Sequence, residues 1–273
     1  MKEILSGAFR PRDKNDDKYS VGTVTVVGGS KRYAHAPVMA GLGARAAGAG
    51  LVQLVVPDWS RMAAAVMVPE ATITELSLDQ MLPGADVTVA GMGLGPDARK
   101  IVPWIMAEKS GRLVLDADAL TVLAERGVYR RKEGQELVLT PHEGEAARLL
   151  KKSREEIHAD RIGAAKAIAE QYKATVVLKG AGTLVTDGER VYENDTGNPM
   201  MALGGMGDLL SGIIGARWVY LKGDAFLAAA AGVWLHGKAS DELVAENLDT
   251  SIFNTAARVG AIRTALDKEG ATQ

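Results

Sequence analysis

Short apolar runs, each stopped by glycine or an acid and each followed by a helical pattern, leave this chain few folds to choose from. Thr23-Val-Thr-Val-Val27 is a buried-strand pattern that ends in Gly28-Gly-Ser30. Pro37 then suits the first turn of a helix running through the alanine-rich segment to about Ala49. Leu51-Val-Gln-Leu-Val-Val56 repeats the strand pattern and closes at Pro57. The alternation goes on through strands at 86–90, 112–116, 136–140 and 175–178, with a helical pattern over 97–107. Strand, glycine turn, helix, strand is the βαβ unit, and repeated units predict a parallel sheet covered on both faces. Thr183–Thr186 and Arg190–Tyr192 flank Asp187-Gly188, a hairpin signal. Thr140-Pro-His-Glu143 predicts a capped helix start with Thr140 as N-cap. Ser153-x-x-Glu156 predicts a second capped start, for one helix to about Tyr172. Helices are expected near 207–220, 224–244 and 250–267, and residues 10–19 are expected to be irregular. No linker or internal repeat interrupts residues 1–273, so one α/β domain is expected, a central mostly parallel sheet between two helical layers.

Composition narrows the functions. A hydrophobic fraction of 47% in 273 residues supports a large core. Net charge is -2 with no long basic run, which argues against a nucleic-acid partner. There is no cysteine, which excludes disulfides, thiol nucleophiles and cysteine metal sites. No run approaches the roughly 18 apolar residues of a membrane span, and Met1–Ser6 lacks the apolar core of a signal peptide. A soluble cytoplasmic protein is the expectation.

The chemistry concentrates in residues 194–215. Gly204, Gly205 and Gly207 lead into Asp208, and the apolar helical pattern Leu209, Leu210, Ile213, Ile214 follows. Glycines at a helix entry let an anion approach bare N–H groups. A carboxylate in that first turn can take a proton from a hydroxyl beside the anion. The alternative is a tight loop whose Asp208 only complements the helix dipole. Other signals fail. Gly232–Ala239 resembles a P-loop but ends in alanine and lies in a helical pattern. Gly41-x-Gly43-x-x-Ala46 matches a loose dinucleotide fingerprint but also falls inside a helix. The four histidines are scattered, with no zinc spacing. His236 is expected to be a satisfied core residue, and His142 is presented where a ligand could meet it. Asp116 and Asp118 are expected to cap the following helix.

Nine segments, in order, resemble those of the ADP/ATP-dependent NAD(P)H-hydrate dehydratase family, of the ribokinase-like superfamily. They are Val26–Tyr33, Ala46–Val52, Gly91-x-Gly-x-Gly95, Leu115-Asp-Ala-Asp-Ala-Leu120, Leu139-Thr-Pro-His-Glu-Gly-Glu145, Leu178-Lys-Gly-Ala-Gly-Thr183, Thr196-Gly-Asn-Pro199, Gly204-Gly-Met-Gly-Asp208 and Leu235-His-Gly237. The resemblance implies a ribokinase-like three-layer sandwich. It also implies a hydro-lyase that restores NADH and NADPH from their hydrates, NADHX and NADPHX, with ADP or ATP as co-substrate and Mg²⁺. By resemblance, Asp208 is the base and Gly205 and Gly207 help form the anion hole. Lys179, Gly180, Ala181, Gly182, Thr183, Asn198 and Gly207 hold the nucleotide. Ala36, Gly95, His142 and Asp208 contact the hydrated dinucleotide, and Glu145 is the candidate to orient the metal or its water. A homo-oligomer is implied, with a tetramer among the expected assemblies. Many relatives carry an epimerase domain ahead of this one. Here the first strand begins at Thr23, so epimerisation is expected from a separate protein. Two positions depart from the family's pattern: His35 where glycine is usual, and Met200 where glycine is usual. The alternative reading is a ribokinase-like kinase of a small vitamin precursor.

Overall fold

The computed structural model describes residues 5, 7–9, 11–108, 111–127 and 132–269. Most of Met1–Ser6 lies outside them. Nine strands form one sheet: β1 (Thr23–Val27), β2 (Leu51–Val56), β3 (Thr72–Glu75), β4 (Val87–Ala90), β5 (Arg112–Leu115), β6 (Glu136–Leu139), β7 (Thr175–Leu178), β8 (Leu184–Thr186) and β9 (Val191–Glu193). Their order is β3-β2-β1-β4-β5-β6-β7-β8-β9. Pairing is parallel from β3 through β7 and antiparallel for β8 and β9, the expected hairpin.

The helices are α1 (Lys18–Val21), α2 (Ala36–Ala46), α3 (Asp58–Met67), α4 (Ala98–Glu108), α5 (Asp118–Arg126), α6 (Glu143–Leu150), α7 (Arg154–Ala159), α8 (Arg161–Tyr172), α9 (Met206–Tyr220), α10 (Ala225–Ala245) and α11 (Ile252–Glu269). Successive strand residues point to opposite faces, so two separate cores form. Val24, Val26, Val89, Val114 and Val138 join a core with α2, α9, α10 and α11. Val27, Ala90, Leu115 and Leu139 join a core with α4, α5, α6 and α8. That burial on both faces is why the strands lack the apolar–polar alternation of a half-exposed sheet.

The chain winds outward from β1 to β3, then returns to the other side of β1 with β4. This order makes the β1/β4 gap the topological switch point, where a crevice opens at the carboxyl ends of the strands. Gly28-Gly29 and Gly91–Gly95 leave the sheet on either side of it, joined by the Gly29 N–H to the Met92 carbonyl at 2.9 Å. Helix α9 lies under the crevice because α2 lets it approach closely. A Cβ on Gly212 would stand 1.8 Å from the Ala40 carbonyl oxygen, and one on Gly43 2.1 Å from that of Leu209. Gly43, part of the apparent dinucleotide fingerprint, is therefore a helix-packing glycine. The P-loop look-alike at 232–239 lies wholly within α10.

Several local expectations need correction. The helix after β6 starts two residues later than expected, with His142 rather than Thr140 as N-cap. His142 Nδ1 accepts from the Gly144 and Glu145 N–H groups, and Glu145 Oε2 accepts from the His142 N–H at 2.8 Å. Thr140 Oγ1 instead donates to the Leu115 carbonyl across the sheet. The helix expected from Ser153 to Tyr172 breaks at Asp160, whose side chain accepts from the Gly163 N–H and opens α8. The segment 10–19 contains the start of α1, capped reciprocally by Asp17 and Ser20. Helix α3 and the half-exposed strand β3 add to the expected elements, and the helix expected after Asp116 and Asp118 is α5.

Candidate active site

Helix α9 begins at the mouth of the switch-point crevice. Gly205 is its N-cap, in the left-handed region at φ +91°, and a Cβ there would also stand 2.0 Å from Met39 Sδ. The left-handed backbone favours glycine, and any side chain there would also have to displace Met39. The first turn of a helix leaves its N–H groups without intrahelical partners. Met206 finds the Leu203 carbonyl at 3.4 Å, and the next two residues, Gly207 and Asp208, each line a cavity at this helix start. Asp208 sits in this turn, and its carboxylate makes no hydrogen bond among the described residues. Burial first, then the Asp116 carboxylate, push its pKa up to about 7, against the pull of Lys179; Asp118 and Glu145 add to the rise. A base poised near neutrality can be ionised at working pH and still hold a proton it removes.

Behind Asp208 lies a buried charge network. Lys179 Nζ donates to Asp116 Oδ1 at 2.7 Å and lies 3.9 Å from Glu145 Oε2. Ser211 Oγ, one turn along α9, donates to Asp116 Oδ2 at 2.7 Å. Burial alone would lower the Lys179 pKa, but Asp116 and Glu145 more than offset it and the net shift is upward, so the ammonium keeps its charge. Burial raises the Glu145 pKa to about 7 despite Lys179. Burial and the Lys179 charge lower that of His142. The two aspartates do not cap α5, contrary to expectation. Asp116 is committed to Lys179 and Ser211, whereas Asp118 Oδ2 accepts from the Gly95 N–H at 2.8 Å and ties the β4 loop to β5. The N-cap of α5 is Ala117, with no side-chain bond.

Two cavities meet at the start of α9. The first, about 670 Å³, is lined by Lys179 through Thr183, by 194–199 and by Met206 and Gly207. The second, about 580 Å³, is lined by Arg32 through Ala36, Gly93, Asp118, Gly205 and Asp208. All seven residues assigned to nucleotide binding by resemblance thus line one cavity, and Asp208, Gly205 and Ala36 line the other. Gly95 lines neither but is held beside Asp118, and His142 caps α6. Asn198 lines the first cavity with its side chain already engaged, donating to Ser240 and Asp241 and accepting from the Met200 N–H. It shapes the loop there.

Some of the site carried no sequence signal. Arg161, from the start of α8, clamps the 178–182 loop through the Leu178, Ala181 and Gly182 carbonyls. His236 lines the first cavity and is buried, as expected, but its Nε2 has no hydrogen-bond partner among the described residues, so it is not the satisfied core histidine expected. Burial lowers its pKa to about 4, which keeps it neutral. Of the two departures, His35 lines the second cavity. Met200 lies in a 3₁₀ turn, Pro199–Met201, outside the positive-φ region, so no glycine is needed there.

A family model described as NAD(P)H-hydrate dehydratase matches residues 24–258. The bifunctional NAD(P)H-hydrate repair enzyme Nnr of Escherichia coli (strain K12) is 39% identical over 267 residues, covering 94% of this chain and 51% of that protein. The ADP-dependent (S)-NAD(P)H-hydrate dehydratase of Neisseria meningitidis serogroup B is 37% identical over 243 residues, covering 85% of this chain and 81% of that protein. The chain spans about half the length of the bifunctional relatives it matches. The solved structure of the ADP/ATP-dependent NAD(P)H-hydrate dehydratase from Bacillus subtilis, co-crystallized with ATP and Mg²⁺, is similar with a TM-score of 0.83. It is 26% identical, over 98% of this chain and 96% of that one. The mostly parallel sheet between two helical layers is the expected ribokinase-like sandwich.

Proposed function

The chain belongs to the NAD(P)H-hydrate dehydratase family, and on that premise we propose that it removes water from (6S)-NADHX and (6S)-NADPHX, using ADP or ATP. The observation that carries this reading is the division of labour at the start of α9. Gly207 and the Lys179–Thr183 loop open on one cavity, while Asp208 opens on the other. A nucleotide in the first cavity points its terminal phosphate at the α9 amides, which stabilise anionic oxygens. A ring hydroxyl in the second cavity meets Asp208.

Asp208 accepts the hydroxyl proton as the ring oxygen bonds to the terminal phosphorus and the phosphorus–oxygen bond to the shortened nucleotide breaks. General-base help of this kind contributes roughly 10²–10⁴-fold. The ring C–O bond then breaks, phosphate departs with that oxygen, and loss of a proton from the adjacent carbon restores the double bond. ADP thus yields AMP and phosphate. The remaining gain comes from holding the two reactants in line. Lys179 is pinned by Asp116 beside Gly207, so its charge is fixed where the phosphate would pass.

Among the described residues no three His, Asp or Glu side chains are grouped to ligate a metal directly. That suits Mg²⁺ carried on the nucleotide phosphates, reaching the protein through one or two carboxylates or through water. Glu145 is the nearest such group to Lys179 after Asp116, although its Oε2 is already engaged by the His142 N–H. The test incubates purified protein with NADHX, Mg²⁺ and each nucleotide in turn, following reduced nicotinamide and phosphate release. Recovery of NADH is expected. No recovery with either nucleotide rejects the dehydratase reading, and a stable phosphorylated alcohol from a vitamin precursor would favour the kinase alternative.

A further inference from the structure

One side chain braces the loop that follows β7, and it is anchored in turn on the start of α6. Asp160 separates α7 from α8 and, as N-cap of α8, puts Arg161 in that helix's first turn. Arg161 Nη1 donates to the Ala181 and Gly182 carbonyls at 2.6 and 3.1 Å. Its Nη2 donates to those of Leu178 and Lys179 at 3.3 and 3.4 Å. Gly180 sits between the two pairs, at φ +141°, and a Cβ there would stand 3.0 Å from Nη2. The guanidinium is a rigid planar fork, which lets it serve both pairs at once. Its Nε lies 3.4 Å from Glu143 Oε1. Glu143 also lies 3.0 Å from His158 Nδ1 and 3.6 Å from Arg154 Nε, so the anchor is itself held from α7.

These bonds fix the direction of the loop's donors. In a trans peptide the carbonyl and the following N–H point in opposite directions, and no peptide bond here is cis among the described residues. Four carbonyls turned to Arg161 therefore turn the N–H groups of Lys179, Gly180, Gly182 and Thr183 away from it. The Lys179 N–H donates to the Pro141 carbonyl at 2.8 Å. The N–H groups of Gly180, Gly182 and Thr183 have no partner among the described residues. All three residues line the first cavity, and Arg161 does not.

We propose that Arg161, anchored by Glu143, is a positioning residue for the nucleotide: by holding the loop carbonyls back, it keeps the Gly180, Gly182 and Thr183 amides turned to the first cavity as donors for nucleotide oxygens. The identity of the ligand rests on the dehydratase reading. Donors fixed before binding need no reorganisation when the ligand arrives, and successive backbone N–H groups suit an anion.

The test measures by calorimetry the Kd of Mg²⁺ with ADP or ATP, whichever the parent binds more tightly, beside the KM for NADHX. Arg161→Ala frees the loop peptides to rotate. It should raise the nucleotide Kd roughly tenfold or more, with the KM for NADHX within about twofold, since tenfold is the loss of one charge-assisted hydrogen bond. Arg161→Lys keeps a charge opposite Glu143 but cannot span both carbonyl pairs, so it should lose nearly as much; it decides the matter if Arg161→Ala does not fold. Glu143→Gln, which releases the anchor, should shift the nucleotide Kd the same way by roughly threefold. A parental nucleotide Kd in Arg161→Lys overturns the assignment. So do equal penalties on nucleotide and NADHX, which are what a general loss of packing gives, and so does a parent that binds neither nucleotide. If the parent binds nucleotide but recovers no NADH, the dehydratase reading fails, and the nucleotide Kd values, set against the urea stability of each variant, still decide the role of Arg161.

Discussion

Replacing Asp208 by asparagine should destroy turnover and stabilise the protein, and the second effect has a calculable pH dependence. The Asp208 pKa is raised from 3.8 to about 7 by burial and the neighbouring Asp116. A shift of about three units corresponds to roughly 4 kcal/mol between the two protonation states. The native state therefore binds a proton that the unfolded state has released across the window from pH 3.8 to about 7. Asp208's contribution is complete below that window and is lost as pH rises through it. Above neutrality the fold carries the full cost of a buried, poorly solvated carboxylate. Asparagine has nothing to ionise. Asp208→Asn should thus gain about 4 kcal/mol over the parent at pH 8 and only about 2 kcal/mol at pH 5, with kcat down roughly 10²–10⁴-fold. Urea denaturation of both proteins at the two pH values, with ADP binding as a check on the fold, measures it. Equal stabilisation at pH 5 and pH 8, or near-normal turnover, would refute the reasoning.

Parent kcat/KM should fall about tenfold per pH unit below roughly 7, because the free enzyme's Asp208 must be ionised to act. Glu145→Gln should keep that acidic limb but move it lower, since Glu145 helps to raise the Asp208 pKa; loss of the limb would assign it to Glu145 instead. Lys179→Ala should weaken ADP binding and also destabilise by roughly 3–5 kcal/mol, because it strands the buried Asp116 carboxylate. A Lys179→Ala/Asp116→Ala double variant should recover much of that loss in urea melts, and simple additivity would contradict the pairing. Gly212→Ala should destabilise by about 1–3 kcal/mol or more, since its Cβ would stand 1.8 Å from the Ala40 carbonyl oxygen and must push α9 off α2. Unchanged thermal stability and turnover would argue against that close packing.

The amino-acid order by itself determined the layers of this protein. Each run of β-branched and aliphatic residues is buried on both faces, so its position could be read without knowing its neighbours, and Thr23–Val27 and Leu51–Val56 fall where the pattern puts them. Gly205 was legible too, because a helix entry that needs a left-handed residue favours glycine from local geometry alone. Where the signal was weak, the reading was weak: β3 is half exposed, and the cap of α6 moved because Thr140 Oγ1 turns to the Leu115 carbonyl across the sheet while His142 Nδ1 takes the Gly144 and Glu145 amides two residues further on. Only the tertiary structure decided what the acids do. Asp116 and Asp118 sit two residues apart and both looked like caps. One pairs with Lys179, 63 positions away, and with Ser211, 95 away, while the other holds Gly95. Partners that distant in sequence leave no local periodicity, because they are brought together by the order of strands in the sheet. The same holds for the pKa of Asp208, which is set by burial and by charges arriving from three other strand ends. A carboxylate at a helix entry was visible in the chain; its readiness to take a proton near neutral pH belongs to the fold.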